Sequence, residues 1–510
     1  MGETCLPRLI EGMLQPEFYP HPVRVPVELI QTHISFVLLT GDYVYKVKKP
    51  VNFGFLDYST LEKRQYFCQR ELQMNQRGAP GLYLAVVPVT QAGTGFRLGG
   101  EGEPVEYAVK MRQFPQDGLF VSMLERGALA EKHLEELGRV VAKFHAQAPV
   151  SEWILSFGEV SQIRKSVEQN YELSKKYIGG PLTQELFEAT KRYTDNFFAE
   201  GRALFFSRIE SQRIRECHGD LHLRNIALWE DKILLFDCIE FNEDFRFVDV
   251  MYDVAFTVMD LQGRGRGDLA NAFLNTYIEG TGDWEGLQVL PLYLIRQSYV
   301  RANVTSLLLD DPGVSAQEKE KAQQTAAHYY RLAWQYTQPR TGQLILMSGL
   351  SGSGKSTVAR KLARRQGAIH IRSDAVRKHL AGIPLHQRGG EEIYTAEMTE
   401  KTYHRLLQLG VMLAAGGWPV ILDAKYDRQA LRRDAIALAE VNQLPLQILH
   451  CTAPVEVLRA RLHRRTGDIA DATADLLAAQ LAGAEPFTEA ERVYVRTLDT
   501  AQDIEAQLCQ

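Results

Sequence analysis

Eight consecutive residues, Gly349-Leu350-Ser351-Gly352-Ser353-Gly354-Lys355-Ser356, fill every fixed position of the pattern G-x-x-x-x-G-K-[ST]. That spacing lets a backbone wrap a polyphosphate: the glycines turn successive N–H groups toward phosphate oxygens, Lys355 reaches the β- and γ-phosphates, and the Ser356 hydroxyl suits Mg²⁺. Thr357 is counted with this nucleotide-binding set. A chance Gly/Ser linker is the competing reading, and the flanks argue against it. Gln343 to Met347 is a short apolar run suited to a buried strand, and Thr357 to Arg364 alternates apolar and basic residues at helical spacing.

Two acids close later apolar runs. Asp374 follows Ile369-His370-Ile371-Arg372-Ser373, where it could orient an acceptor hydroxyl, cap a helix starting at Ala375, or do both. Asp423 ends Val420-Ile421-Leu422, the place where a P-loop domain holds Mg²⁺. Arg461 and Arg465 share one face of an expected helix over Leu458 to Arg465 and are candidates to close over a nucleotide and neutralise charge during transfer. A solvated basic face is the alternative.

A second constellation stands earlier: His218-Gly219-Asp220-Leu221-His222-Leu223-Arg224-Asn225, then the apolar strand Ile233 to Phe236, then Asp237. Kinase catalytic loops have this layout, with an Asp for the substrate hydroxyl proton, an Asn five residues on for Mg²⁺, and an Asp after the next strand for Mg²⁺ at the phosphates. Asp220, Asn225 and Asp237 fill those places. On HGDLHLRN and ILLFDCIEFN, the stretch from about 30 to 310 resembles the aminoglycoside phosphotransferase family, relatives of choline and other small-molecule kinases. The resemblance implies that Asp220 is the catalytic base and that Asn225 and Asp237 bind magnesium. It also implies a small-lobe lysine on the phosphates with a helix glutamate orienting it. Lys46 and Lys48 share a strand face, and Lys46 is chosen; Glu71, on an inward stripe with Phe67 and Met74, is chosen over Glu62. A solvated edge-strand lysine is the competing reading. His222 is read as structural, and Asp249 and Asp253 as loop braces. A single glycine in Leu38-Leu39-Thr40-Gly41-Asp42 and Asp-Cys-Ile-Glu in place of Asp-Phe-Gly favour a small-molecule kinase over a protein kinase.

The later stretch, with GLSGSGKS, IRSDAVRK, VILDA and its arginines, resembles the P-loop kinase group of gluconate kinase, zeta-toxin-type sugar kinases and the 5′-kinase part of polynucleotide kinase. The order of the two parts resembles bacterial two-domain proteins that join a phosphotransferase to an ATP-binding kinase.

Elements must position these residues. Strands are expected at Ser35 to Thr40, Tyr43 to Lys48, Leu82 to Val89 and Val105 to Met111 around a helix near 59 to 77, with mainly helical structure from Leu119. This is a β-rich small lobe joined to a helical large lobe, an α+β protein-kinase-like bilobal fold. A helix over Ser315 to Tyr336 and the breaker cluster Thr337-Gln338-Pro339-Arg340-Thr341-Gly342 precede a parallel α/β P-loop kinase with strands at 343 to 347, 368 to 372, 418 to 422 and 446 to 451. The expected division is 1–113, 114–337, a linker 338–342, and 343–510.

With 510 residues, about three compact units are expected. A net charge of −5 removes the global argument for a nucleic-acid or membrane-surface binder. Six scattered cysteines, Cys5, Cys68, Cys217, Cys238, Cys451 and Cys509, form no C-x-x-C pair, so neither zinc nor a disulfide framework is indicated. No leader-like segment or membrane-length apolar run is seen, and a soluble chain in a reducing cytoplasm is expected. The function expected is a bifunctional kinase using ATP and Mg²⁺ at two separate sites, phosphorylating hydroxyls of small polar metabolites of sugar or aminocyclitol type. A 5′-hydroxyl polynucleotide kinase in the later part, and an ATP-binding switch with one inactive centre, are the alternatives. Acceptor identity and oligomeric state leave no local pattern.

Overall fold

The structure is a computed structural model that describes residues 6–508 except 55, 94 and 466. Cys5 and Cys509 lie outside the described residues; Cys68, Cys217, Cys238 and Cys451 are free and buried. The chain forms two compact units, against the three that length alone suggests. Unit 1 comprises the residues up to Ala130, Lys143–Gly263 and Leu292–Tyr336, and unit 2 comprises Glu131–Ala142, Arg264–Pro291 and the chain from Thr337 on. The difference arises because the strand-rich and helical parts of unit 1 pack as one body.

Unit 1 opens with a six-stranded antiparallel sheet of β1 (Glu28–Gln31), β2 (Ser35–Leu39), β3 (Tyr43–Lys48), β4 (Tyr83–Ala92), β5 (Gly95–Leu98) and β6 (Pro104–Arg112), in the order β1-β2-β3-β6-β4-β5. The two strands that sequence patterning does not mark, β1 and β5, are the edges; they are mostly exposed, so little apolar alternation is imposed on them. The helix Leu61–Gly78 packs on β4 and β6. Thr60 caps it by accepting from Lys63 N, and Cys68, Glu71, Asn75 and Gly78 recur at spacings of three and four on its buried stripe. Beyond the short antiparallel pair β7 (Ile214–Glu216) and β10 (Phe247–Asp249), the hairpin β8 (Ile226–Trp229) and β9 (Lys232–Leu235) carries the candidate loop. Its two-residue turn, Glu230-Asp231, has both φ angles positive, at 49° and 59°, which matches the twist of the flanking strands. Asn225 and Asp237 therefore leave the same end of the hairpin. The helix Ala316–Tyr336 begins at a reciprocal cap in which Ser315 and Glu318 exchange hydrogen bonds.

Unit 2 is built on a five-stranded parallel sheet of β11 (Gln343–Ser348), β12 (Ile369–Arg372), β13 (Pro419–Asp423), β14 (Leu446–Thr452) and β15 (Val495–Asp499), ordered β12-β13-β11-β14-β15. The central strands are covered on both faces, so they read as continuous apolar runs. The unanticipated β15 is an edge, with only Leu498 buried. The other edge, β12, is covered by the helix Gly267–Thr281. From that helix the Asn271 and Asn275 side chains donate to the Ala368 backbone carbonyl at 2.9 and 3.0 Å, and Asn275 Oδ1 accepts from His370 N at 2.8 Å. Two side-chain amides thus satisfy the backbone groups that an open edge would leave free.

Candidate functional site

In unit 1 the structure brings Lys46, Glu71 and Asp237 together. Lys46 Nζ lies 2.8 Å from Glu71 Oε1 and 2.6 Å from Asp237 Oδ1. Burial pulls this ammonium toward its neutral form, and the Asp237 and Glu71 carboxylates outweigh that, so its pKa stands well above the ordinary lysine value. Glu71 is fully buried and divides its oxygens, with Oε2 going to Lys48 at 2.7 Å. Lys48 is 1% exposed and also meets Glu240, which in turn accepts from the Tyr58 hydroxyl. The two lysines on one strand face therefore differ: Lys46 reaches Asp237, and Lys48 is enclosed in the packing. Neither is a solvated edge charge.

Asn225 Nδ2 donates to Asp220 Oδ2 at 3.1 Å and to the Asp220 carbonyl at 3.0 Å. The loop is held from beneath by Asp253, whose carboxylate accepts from His218 N at 2.7 Å and Gly219 N at 2.8 Å. Asp253 is a brace, and so is Asp249, which pairs with Arg208. Gly219 has φ 85°, and a Cβ there would stand 2.6 Å from the Phe245 carbonyl, so no other residue fits this turn. His222 accepts from Arg224 N at 3.2 Å and stands 3.4 Å from Asp220. Asp237 itself adopts φ 62°, a left-handed conformation uncommon outside glycine that Asp tolerates better than most residues. Two residues that sequence reasoning missed hold it: Asp237 N donates to the Tyr83 hydroxyl at 3.2 Å, and Cys238 N to Asn75 Oδ1 at 2.9 Å. Asn75 sits one turn beyond Glu71 on the same stripe, which was its only sequence signal.

In unit 2 the loop from Gly349 to Gly354 joins β11 to the helix Lys355–Gln366, whose first turn carries Ser356 and Thr357. Gly349 has φ 136°, and a Cβ there would lie 2.3 Å from the Cys451 carbonyl. Lys355 Nζ rests on the Leu350 carbonyl at 2.9 Å, Ser351 N donates to Gln480 at 3.0 Å, and Ser353 Oγ is buried without a partner. A cradle that only glycine can line, with an orphaned hydroxyl and an ammonium, fits a polyphosphate. Burial lowers the Lys355 pKa against the pull of Asp423. Asp423, on the adjacent strand, accepts from His370 Nε2 at 3.0 Å. Burial raises its pKa, and His370, Arg372 and Lys355 outweigh that, holding it well below the ordinary carboxylate value.

Asp374 lies in the first turn of the helix Ser373–Ala381, whose N-cap is Arg372. It is therefore not the cap expected from sequence, because the helix starts two residues earlier. Burial raises its pKa, and Asp423 adds to that while Arg372 opposes it. The expected pairing of Arg461 with Arg465 is also corrected: the helix Val455–Arg464 ends before Arg465, which adopts an extended conformation and donates to the Ala472 carbonyl. Arg461 instead binds Thr500, at 2.8 and 2.7 Å, and the Gly352 carbonyl at 3.4 Å. Sequence reasoning missed His370, Arg372 and Thr500, which meet their partners across distances that leave no local pattern.

The family model described as the phosphotransferase enzyme family matches residues 122–290, and one described as an AAA domain matches residues 344–487. Uncharacterized protein Rv2004c of Mycobacterium tuberculosis is 30% identical over 479 residues, covering 93% of each chain, and Mb2027c of Mycobacterium bovis matches equally. The chain belongs to that family. It is a kinase, with a phosphotransferase part followed by a P-loop part. A shikimate kinase of Geobacter sulfurreducens is 31% identical over 135 residues, which are 26% of this chain and 67% of that protein. Among solved structures, a gluconokinase from Sinorhizobium meliloti is 25% identical with a TM-score of 0.25, covering 33% of this chain and 87% of its own. A choline/ethanolamine kinase family protein from Mesorhizobium loti is 10% identical with a TM-score of 0.37, covering 61% and 92%. Among the described residues, no helix is long and apolar enough to cross a membrane.

Proposed function

We propose that the chain is a bifunctional kinase with one ATP- and Mg²⁺-dependent centre in each unit, each phosphorylating a hydroxyl of a small polar metabolite of sugar or aminocyclitol type. The observation that carries this reading is that each unit has its own phosphate-handling lysine: Lys46, ion-paired with Asp237 in unit 1, and Lys355, at the head of the helix that follows the Gly349 to Gly354 cradle in unit 2. The relation to a shikimate kinase supports a small hydroxylated acceptor.

In unit 1 Lys46, oriented by Glu71, pairs with phosphate oxygens, while Asn225 and Asp237 offer oxygen ligands to a hard cation. Asp220, aligned by Asn225, takes the acceptor proton as the acceptor oxygen bonds to the γ-phosphorus and the bond to the departing ADP oxygen breaks. In unit 2 the Gly349 to Ser356 backbone and Lys355 hold the phosphates, Ser356 and Asp423 are the cation ligands, and Asp374 is the base. Burial raises its pKa above the ordinary carboxylate value, which makes it a stronger base than a solvated carboxylate. Mg²⁺, when bound, supplies charge neutralisation on the transferring group. Arg461 would steady the cradle on the nucleotide side, and Arg465 stands at the rim.

The test is transfer of label from γ-labelled ATP to a small-molecule extract by the full chain, by Asp220→Ala and by Lys355→Ala. Each variant is expected to lose one set of products by about 10²-fold or more and keep the other. Loss of all products in a single variant, or one nucleotide bound per chain in calorimetry, overturns the two-centre reading.

A further inference from the structure

We propose that unit 2 holds, beside its phosphate cradle, a second anion pocket that grips a phosphate already carried by the acceptor, so that this centre phosphorylates a phosphomonoester. The proposal rests on the reading of unit 2 as a P-loop kinase.

A cavity of about 530 Å³ opens along the β12 edge, walled by the helix Lys355–Gln366, the helix Gly267–Thr281, the segment 131–142 and residues 464–465 and 467–469. That volume suits a small metabolite. Six arginines line it with three acids, Glu135, Glu279 and Asp468, and two of those arginines, Arg139 and Arg364, pair in addition with Glu136 and Glu131 outside the lining. The acids are already engaged: Glu135 pairs with Arg364 at 2.7 Å, and Asp468 and Glu279 both meet Arg372. Arg360 and Arg464 are exposed to the cavity with no hydrogen bond or ion pair among the described residues, and Arg364 Nε is buried without a partner. Unneutralised guanidinium groups around one concavity focus a positive field, and their planar donors match phosphate oxygens in pairs.

Two residues of the cavity wall, His370 and Arg372, connect it to the Asp423 carboxylate beside the cradle. Transfer in line requires acceptor and departing ADP on opposite sides of the moving group. On the β15 flank, Arg461 and Thr500 close the cradle by binding the Gly352 and Ser353 carbonyls. On the β12 flank, His370 and Arg372 line the cavity and both approach Asp423, at 3.0 and 4.0 Å. The acceptor hydroxyl oxygen bonds to the γ-phosphorus, the bond to the ADP oxygen breaks, the hydroxyl proton goes to Asp374, and the acceptor's own phosphate stays unreacted on Arg360 and Arg464. The reaction that supplies this acceptor is itself phosphorylation of a hydroxyl, the chemistry proposed for unit 1.

The test uses the full chain saturated with AMP-PNP and Mg²⁺, titrated with inorganic phosphate in a calorimeter. One phosphate site is expected, weakened about tenfold by Arg360→Gln or Arg464→Gln and unchanged by Arg459→Gln, an exposed arginine outside the cavity. In a second arm, the Asp220→Ala chain transfers label from ATP to a small-molecule extract, and this transfer is expected to vanish when the extract is first treated with phosphatase. No phosphate site, or an affinity untouched by both cavity variants, overturns the pocket. Phosphate binding with phosphatase-resistant transfer assigns the pocket to free phosphate and overturns the acceptor. Failure of Lys355 to support AMP-PNP binding removes the P-loop reading and this inference together.

Discussion

Glu71 has no access to water, yet it carries a charge, because two ammonium groups on alternate positions of β3 each take one of its oxygens. Removing one member of such a buried set leaves the others uncompensated, which costs about 3 kcal/mol or more. Glu71→Gln is therefore expected to lower unfolding free energy by about that amount at pH 7, measured by denaturant titration. The folded pKa of Glu71 lies below its ordinary value of 4.5, so its contribution is fully present above that value and is lost as pH falls from there through the folded value. The gap between Glu71→Gln and the parent chain should accordingly narrow as the titration is repeated below pH 4.5. A constant gap would mean that the carboxylate carries no differential charge interaction.

At the scale of elements, the vulnerable one is β12, a sheet edge in a protein whose central strands are protected on both sides. Its cover comes from Asn271 and Asn275, whose amides take the place of a neighbouring strand. Asn275→Ala leaves His370 N–H without its acceptor, with an expected cost of about 1–3 kcal/mol. Faster hydrogen exchange at the His370 amide, with exchange on β11 unchanged, is the expected readout. Equal exchange in both chains would show that the amide finds another acceptor. Because His370 also bonds to Asp423, the same substitution should weaken Lys355-dependent transfer more than it weakens Asp220-dependent transfer.

At the scale of the whole molecule, unit 2 is assembled from three separate stretches of chain. The segments 131–142 and 264–291 contribute Glu131 and Glu135, which pair with Arg364, Glu285, which pairs with Arg405, and Trp284, whose ring meets His379 at 5.5 Å. A chain of 343–510 alone would expose the β12 edge, which is the usual route to edge-to-edge association. It is expected to melt below the intact protein's P-loop part and to self-associate in size-exclusion chromatography. A monomeric fragment of undiminished stability would count against a structural role for the borrowed segments.

Motifs confined to about ten residues were the legible part of this protein. The glycine-rich run between an apolar strand and an amphipathic helix, and the HGDLHLRN loop before a short strand, announce themselves because their chemistry needs neighbours in sequence. The inward stripe through Glu71 was equally visible, since helical periodicity places it. Edge strands such as β1, β5 and β15 were not, because a half-exposed strand imposes little apolar pattern.

By itself, then, the sequence determined that a phosphotransferase part and a P-loop part are present and the kinds of fold that hold them, because strand, loop and helix patterns are set by local spacing. Only the tertiary structure decided that Lys48 is enclosed with Glu240, that Asn271 and Asn275 finish a sheet 95 residues or so further along the chain, and that six arginines meet in one cavity. Those pairings depend on how distant segments pack, and packing across that much chain leaves no periodic trace in either partner.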